Sequence, residues 1–131
     1  HGVGYFLNVH EGPQSIAVAA VPQPHHAMKS GMLTSNEPGL YRPGKWGIRI
    51  ESLVINRPVE NPEETEFGKF LYFETVTLCP IDTRLIDTKL MTGSEIEWLN
   101  QYHAEVRRRL EPLTEGAAKA WLIERTEPLA R

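Results

Sequence analysis

Two glutamates, Glu37 in "NEPG" and Glu51 in "GIRIES", stand fourteen positions apart among apolar, glycine and proline residues rather than in a charged run. A carboxylate in such company is costly unless something neutralises it. Proline fixes the chain just after Glu37, which holds that carboxylate rigidly at a strand end as a metal ligand, a general base or a turn residue. In "WGIRIES" the strand alternation sets Trp46, Ile48 and Ile50 on one face and Gly47, Arg49 and Glu51 on the other. Arg49 and Glu51 are then same-face neighbours, and an ordinary surface ion pair is the competing reading. His1 and His10 bracket a glycine-rich segment, and a satisfied structural histidine is the commoner outcome for such a pair. His25 and His26 read as exposed in a proline-rich loop. His103 falls on a helix between its core stripe and solvent. Taken together, His1, Glu37 and Glu51 supply one imidazole and two carboxylates, a donor set suited to Mn²⁺, Co²⁺ or Zn²⁺ and to activating a water.

The elements that must position these groups follow from punctuation and period. Residues 15–21, "SIAVAAV", read as a strand until "PQPHH" interrupts it. Lys29 to Gly31 read as a turn. "MLTSNEP" and "WGIRIESLVIN" read as strands of a hairpin, with "PGLYRPG" as the turn between them. The acidic, proline-bearing stretch 57–68 is a loop, and "KFLYFETVTLCP" is a further strand. Beyond Pro80 the period changes. Ser94 with Glu97 forms a capping-box pattern, and Ile96, Leu99, Tyr102, Val106 and Leu110 fall on one helical stripe. Thr114 and Glu115 open a second helix carrying Ala118, Trp121 and Leu122. Strands first and helices last define an α+β chain.

A chain of 131 residues is one ordinary domain with room for a core. The net charge of −3 argues against nucleic acid or an anionic membrane as the main partner. Arg107, Arg108 and Arg109 are the only dense basic run, and late in a helix they read as a solvated end that suits the dipole. Cys79 is the only cysteine, which rules out an intrachain disulfide and suits a reducing compartment, here read as the cytoplasm. There is no apolar run of spanning length and no signal-peptide pattern. The opening at His1 reads as mid-domain sequence, hence as part of a longer protein.

The motifs "HGVGYFLNVHEGP", "TSNEPGLY" and "GIRIE" resemble, in order and spacing, the C-terminal part of the aminopeptidase P family, the Xaa-Pro aminopeptidases. The tail "LYFETVTLCPIDTRLID", "EIEWLNQYHAEVRRRLEP" and "AWLIERTEP" resembles the C-terminal extension of that family's longer members. The resemblance covers essentially the whole chain. It implies the C-terminal half of a pita-bread fold: residues 1–80 as a curved antiparallel sheet, and residues 81–131 as a helical extension packing on the same domain. It also implies that His1, Glu37 and Glu51 are metal ligands, with Glu51 bridging two cations and Glu37 shuttling protons. His10 would hydrogen-bond the substrate, and Tyr41 and Arg49 would be supporting residues, with Arg49 holding Glu51 in place. The cations would be two divalent ions, Mn²⁺ in this family with Zn²⁺ or Co²⁺ as alternatives. The implied reaction is attack by a hydroxide held between them on the first peptide bond of a substrate with proline in second position. The full-length protein would be a homodimer.

One departure from the family pattern matters. Two aspartate ligands, and further substrate-site histidines, lie upstream of "HGVG" in the family, whereas Asp82 and Asp87 here lie downstream of both glutamates. The chain alone is therefore expected to bind at most one metal ion weakly and to be inactive. Two alternatives remain beside the peptidase: a non-catalytic pita-bread relative used for binding, and a creatinase-like hydrolase on the same fold.

Overall fold

The computed structural model describes residues 1–6, 8–19, 21, 23–60 and 66–130, which form two compact units, His1–Thr77 and Leu78–Arg131. Among the described residues, seven strands build the first unit: β1 (Gly2–Val3), β2 (His10–Glu11), β3 (Leu33–Asn36), β4 (Gly39–Arg42), β5 (Trp46–Arg49), β6 (Ser52–Pro58) and β7 (Leu71–Thr75). Five of them make one antiparallel sheet in the order β2-β1-β3-β6-β7, and β4 pairs with β5 in a second ladder.

The hairpin expected around Glu37 and Glu51 forms, and it is longer than the sequence reading made it. Gly39–Arg42, expected within the turn, is strand β4, and the turn itself closes over residues 43–45, with Lys45 N–H donating to Arg42 O at 2.9 Å. Gly44, at φ 71°, takes the left-handed conformation that this tight reversal needs. A single register runs through both ladders, from Leu33 opposite Ile55 to Arg42 opposite Trp46. It is interrupted at Pro38, which has no N–H to give, and only a long bond from Ile50 N–H to Pro38 O (3.4 Å) bridges the gap. Glu37 and Glu51 lie in that gap.

The strand expected over residues 15–21 is absent from its described residues. Prolines flank the segment, and its described residues pair with neither open edge of the sheet, β2 or β7. The expected turn at Lys29 to Gly31 is present, with Met32 N–H donating to Lys29 O at 3.2 Å. Part of the expected 57–68 loop, residues 61–65, lies outside the described residues.

The second unit holds helices α1 (Gly93–Leu110) and α2 (Gly116–Arg125). The capping box is Thr92 with Glu95, not Ser94 with Glu97. Two overlapping matches to the same pattern compete here, and the earlier one caps the helix: Glu95 N–H donates to Thr92 Oγ1 at 3.3 Å and Thr92 N–H to Glu95 Oε2 at 2.7 Å. The buried stripe is Ile96, Leu99, His103 and Val106, joined by Leu122 of α2. Each fully buried aliphatic side chain of this kind is worth roughly 1.5–3 kcal/mol.

His103, placed by the sequence reading between core and solvent, is 0% exposed. Its Nε2 accepts from Ile81 N–H at 3.0 Å. The arginine run also departs from a purely solvated end. Arg107 donates to Thr126 Oγ1, to Ile123 O and to Glu127 Oε1 at 2.6–2.7 Å, tying the chain after α2 back onto α1. Asn100 adds a two-way clasp on the Leu129 backbone. Arg108 pairs with Glu105 on the surface, as a solvated end requires.

Candidate metal centre

The continuous register places Glu37 opposite Glu51, and residues opposite each other in an antiparallel pair share a sheet face. Ser35, two residues before Glu37, lies on that face, as do Tyr41, Gly47 and Arg49. His1 is delivered to the same place by β1. Ser35 N–H donates to His1 O at 2.8 Å, and His1 Nε2 stands 3.2 Å from Glu37 Oε1.

The protonation of His1 follows from its neighbour. Nδ1 lies 2.7 Å from the Gly2 carbonyl oxygen, which can only accept, so Nδ1 carries the proton. With a second proton on Nε2 this contact is the ion pair of an imidazolium with Glu37, and a cation held between Nε2 and Oε1 would take that proton's place.

Glu37 is held from both sides. Ser35 Oγ donates to Oε1 at 3.1 Å, and Arg49 Nη1 donates to Oε2 at 3.2 Å. Ser35 is 2% exposed, and its one hydroxyl proton has a second acceptor in His1 O at 3.3 Å. The sequence reading did not single it out, although the alternation of "SNE" puts it beside Glu37.

Arg49 was expected to secure Glu51. It secures Glu37 instead, because the hairpin brings that carboxylate across the strand while its Nε–H donates to the Tyr41 hydroxyl at 2.8 Å. Its guanidinium also sits 5.9 Å from the centre of the Tyr41 ring. Its pKa is raised, first by the Tyr41 hydroxyl and further by the charges of Glu37 and Glu51.

Glu51 is exposed and, among the described residues, accepts no hydrogen bond. His10, also exposed, has its ring centroid 4.3 Å from that of His1. The structure thus gathers His1, Glu37, His10, Arg49 and Tyr41 around one point, with Glu51 facing Glu37. Among the described residues, no three His, Cys, Asp or Glu side chains are placed to hold a metal ion together. His25 and His26 lie in a short 3-10 turn, Pro24–His26, edge-on against each other. Asp82 and Asp87 cap the 3-10 turns Thr83–Leu85 and Thr88–Leu90, as residues outside the metal chemistry would.

Residues 1–57 match the model of metallopeptidase family M24, and residues 69–129 match that of the C-terminal region of peptidase M24. The chain belongs to the M24 metallopeptidases, and its α+β architecture is that of the C-terminal half of their pita-bread fold. Among its relatives, a probable Xaa-Pro aminopeptidase P of Coprinopsis cinerea is 48% identical over 98% of this chain and 21% of its own length. Aminopeptidase P2 of Arabidopsis thaliana is 45% identical over 100% of this chain and 18% of its own. Among solved structures, the X-prolyl aminopeptidase of Caenorhabditis elegans, described as a cytosolic enzyme with a di-nuclear active site, superposes with a TM-score of 0.80. It is 35% identical, over 98% of this chain and 21% of that one. The chain spans about a fifth of the length of these relatives. No helix among the described residues is long and apolar enough to cross a membrane.

Proposed function

We propose that this chain carries one side of the metal centre of an aminopeptidase that removes the first residue from peptides with proline in second position. The observation that carries the reading is the His1 Nε2–Glu37 Oε1 pair at 3.2 Å, on the sheet face where Glu51 stands opposite Glu37. Two donor atoms bound to one divalent cation, each about 2.0–2.2 Å from it, lie about 3 Å apart when they occupy neighbouring coordination positions. The donor set fits such ions in chemistry, and the relatives' names supply the substrate class. The site residues are those expected from the sequence: His1, Glu37 and Glu51 for metal, His10 and Glu37 for the reaction, and Tyr41 and Arg49 behind them.

When bound, two divalent cations supply a Lewis acid and an acidified water. Mn²⁺ is the cation proposed, with Zn²⁺ or Co²⁺ as the other hard-to-borderline ions that imidazole and carboxylate accept. The chain's residues do the rest. His1, with its proton fixed on Nδ1, offers Nε2 as a ligand. Ser35 and Arg49 fix the two oxygens of Glu37, so the carboxylate can take and return a proton without reorienting. The exposed His10 imidazole, next to His1, would donate to a substrate carbonyl oxygen as negative charge develops there. Glu51 contributes its unbonded carboxylate from the opposite strand.

The proposal extends to a cytosolic, homodimeric full-length enzyme, with residues 1–80 as the end of its catalytic module and 81–131 as a helical extension. The decisive experiment is on that full-length protein. Glu37→Gln should leave it folded but unable to cleave an Xaa-Pro peptide and depleted in bound metal. Full activity with full metal content would remove Glu37 from the centre and end this reading.

A further inference from the structure

Two glycines of the hairpin face one aromatic ring. Gly39 is two residues before Tyr41 on β4, and Gly47 lies directly opposite Tyr41 on β5, so all three share the sheet face of Glu37. Neither glycine is among those with positive φ, so the backbone conformation does not call for glycine at either place. Space does. A methyl group on Gly47 would lie 2.6 Å from Tyr41 Cδ1 and 3.2 Å from Cε1. One on Gly39 would lie 2.7 Å from Cζ and 2.8 Å from Cε2, and closer still to the hydroxyl. Such distances are inside van der Waals contact, and any side chain at either position would lift the ring.

Tyr41 is 55% exposed, so core packing does not hold it. It lies down because the sheet beneath it carries no side chains. In that position its hydroxyl meets Arg49, the register partner of Gly39, and accepts from Nε–H at 2.8 Å. Arg49 then has its Nη1 directed at Glu37 Oε2.

We propose that Gly39 and Gly47 form a side-chain-free slot that lays Tyr41 flat on the sheet, making both glycines positioning residues for Glu37 through Tyr41 and Arg49. The functional meaning of the slot rests on Glu37 being a metal ligand; the slot itself does not.

Proton–nitrogen NMR of this chain tests it, because the Arg49 Nε–H gives its own resonance. Gly47→Ala should move that resonance and speed its exchange with solvent several-fold, as expected when a charge-assisted hydrogen bond is lost. Tyr41→Phe should do the same with both glycines intact. Gly93→Ala, whose new methyl meets nothing within 4 Å, should change nothing.

A thermal-stability cycle separates the slot from a general need for glycine. Gly47→Ala should be destabilising in the unmodified chain and harmless in Tyr41→Ala, where the ring is gone. Equal losses in the two backgrounds, an Arg49 resonance indifferent to Gly47→Ala, or failure of both Gly47→Ala and Gly47→Ala/Tyr41→Ala to fold would each overturn the proposal. Folding of the double variant alone would support it. The metal content of the full-length Glu37→Gln variant reports separately on the metal reading. Full content there would end that reading and leave the slot standing.

Discussion

Glu37 and Glu51 face each other across the gap that Pro38 opens between two ladders of a single hairpin. The same proline that stiffens Glu37 removes a backbone bond beside it, so both carboxylates stand where the sheet is locally open. Glu37 is clamped by Ser35 and Arg49, whereas Glu51 accepts no hydrogen bond among the described residues.

That difference sets the first prediction. Glu51 has no visible structural duty, so in the full-length protein Glu51→Ala should abolish Xaa-Pro cleavage while changing the melting temperature little. His25→Ala, in the Pro24–His26 turn, should leave turnover near normal. Similar losses of activity in the two variants would show that the chemistry is misplaced.

Ser35→Ala is the second. The hydroxyl fixes Oε1, the oxygen nearest His1, and partners that orient a ligand commonly matter about 10–100-fold in metal affinity. Competition with a chelator on the full-length protein should show a loss of that size, with Ser35→Thr retaining more affinity than Ser35→Ala. Unchanged affinity in Ser35→Ala would make the hydroxyl a bystander.

The third concerns the 131-residue chain by itself. His1 and Glu37 are the donor pair that the structure brings within reach of one cation, so calorimetric titration with Mn²⁺ should detect at most one weak site. No hydrolysis of a proline peptide should accompany it, since the two aspartates implied by the family pattern are not in these residues. Two tight sites, or turnover that Glu51→Ala removes, would contradict this.

The fourth is a pH dependence centred on His103. Burial lowers its pKa below the ordinary histidine value, and Nε2 must stay unprotonated to accept from Ile81 N–H. The unfolded chain takes up a proton near pH 6.5 while the folded chain resists it until lower pH. The helical unit should therefore hold full stability above about pH 6.5 and lose it progressively as the pH falls toward the lowered folded value. Thermal melts followed by the helical circular-dichroism signal should show that loss, and His103→Gln, which keeps an acceptor but cannot titrate, should flatten it. A slope that survives in His103→Gln would assign the effect to other groups.

Much of the centre was legible in the residues themselves. Strand alternation is a local property, so the shared face of Gly47, Arg49 and Glu51 needed no knowledge of the rest of the molecule. Of the stripe set by helical period, Ile96, Leu99 and Val106 are buried, and Tyr102 and Leu110 are half-buried.

Other features depended on which segments meet. Arg49 could reach Glu51 on its own strand or Glu37 across the hairpin, and only the register and the Tyr41 hydroxyl decided for Glu37. Residues 15–21 had strand-forming composition, but a strand also needs a ladder partner, and their described residues pair with neither open edge of the sheet, β2 or β7. A helical wheel gave His103 an angle without a depth, and the structure buries it fully with Nε2 accepting from Ile81 N–H. Residue types and local period thus determined which groups are present and which way they point along an element. Tertiary structure decided their partners, because hydrogen bonds and burial depend on what lies across the space from each side chain.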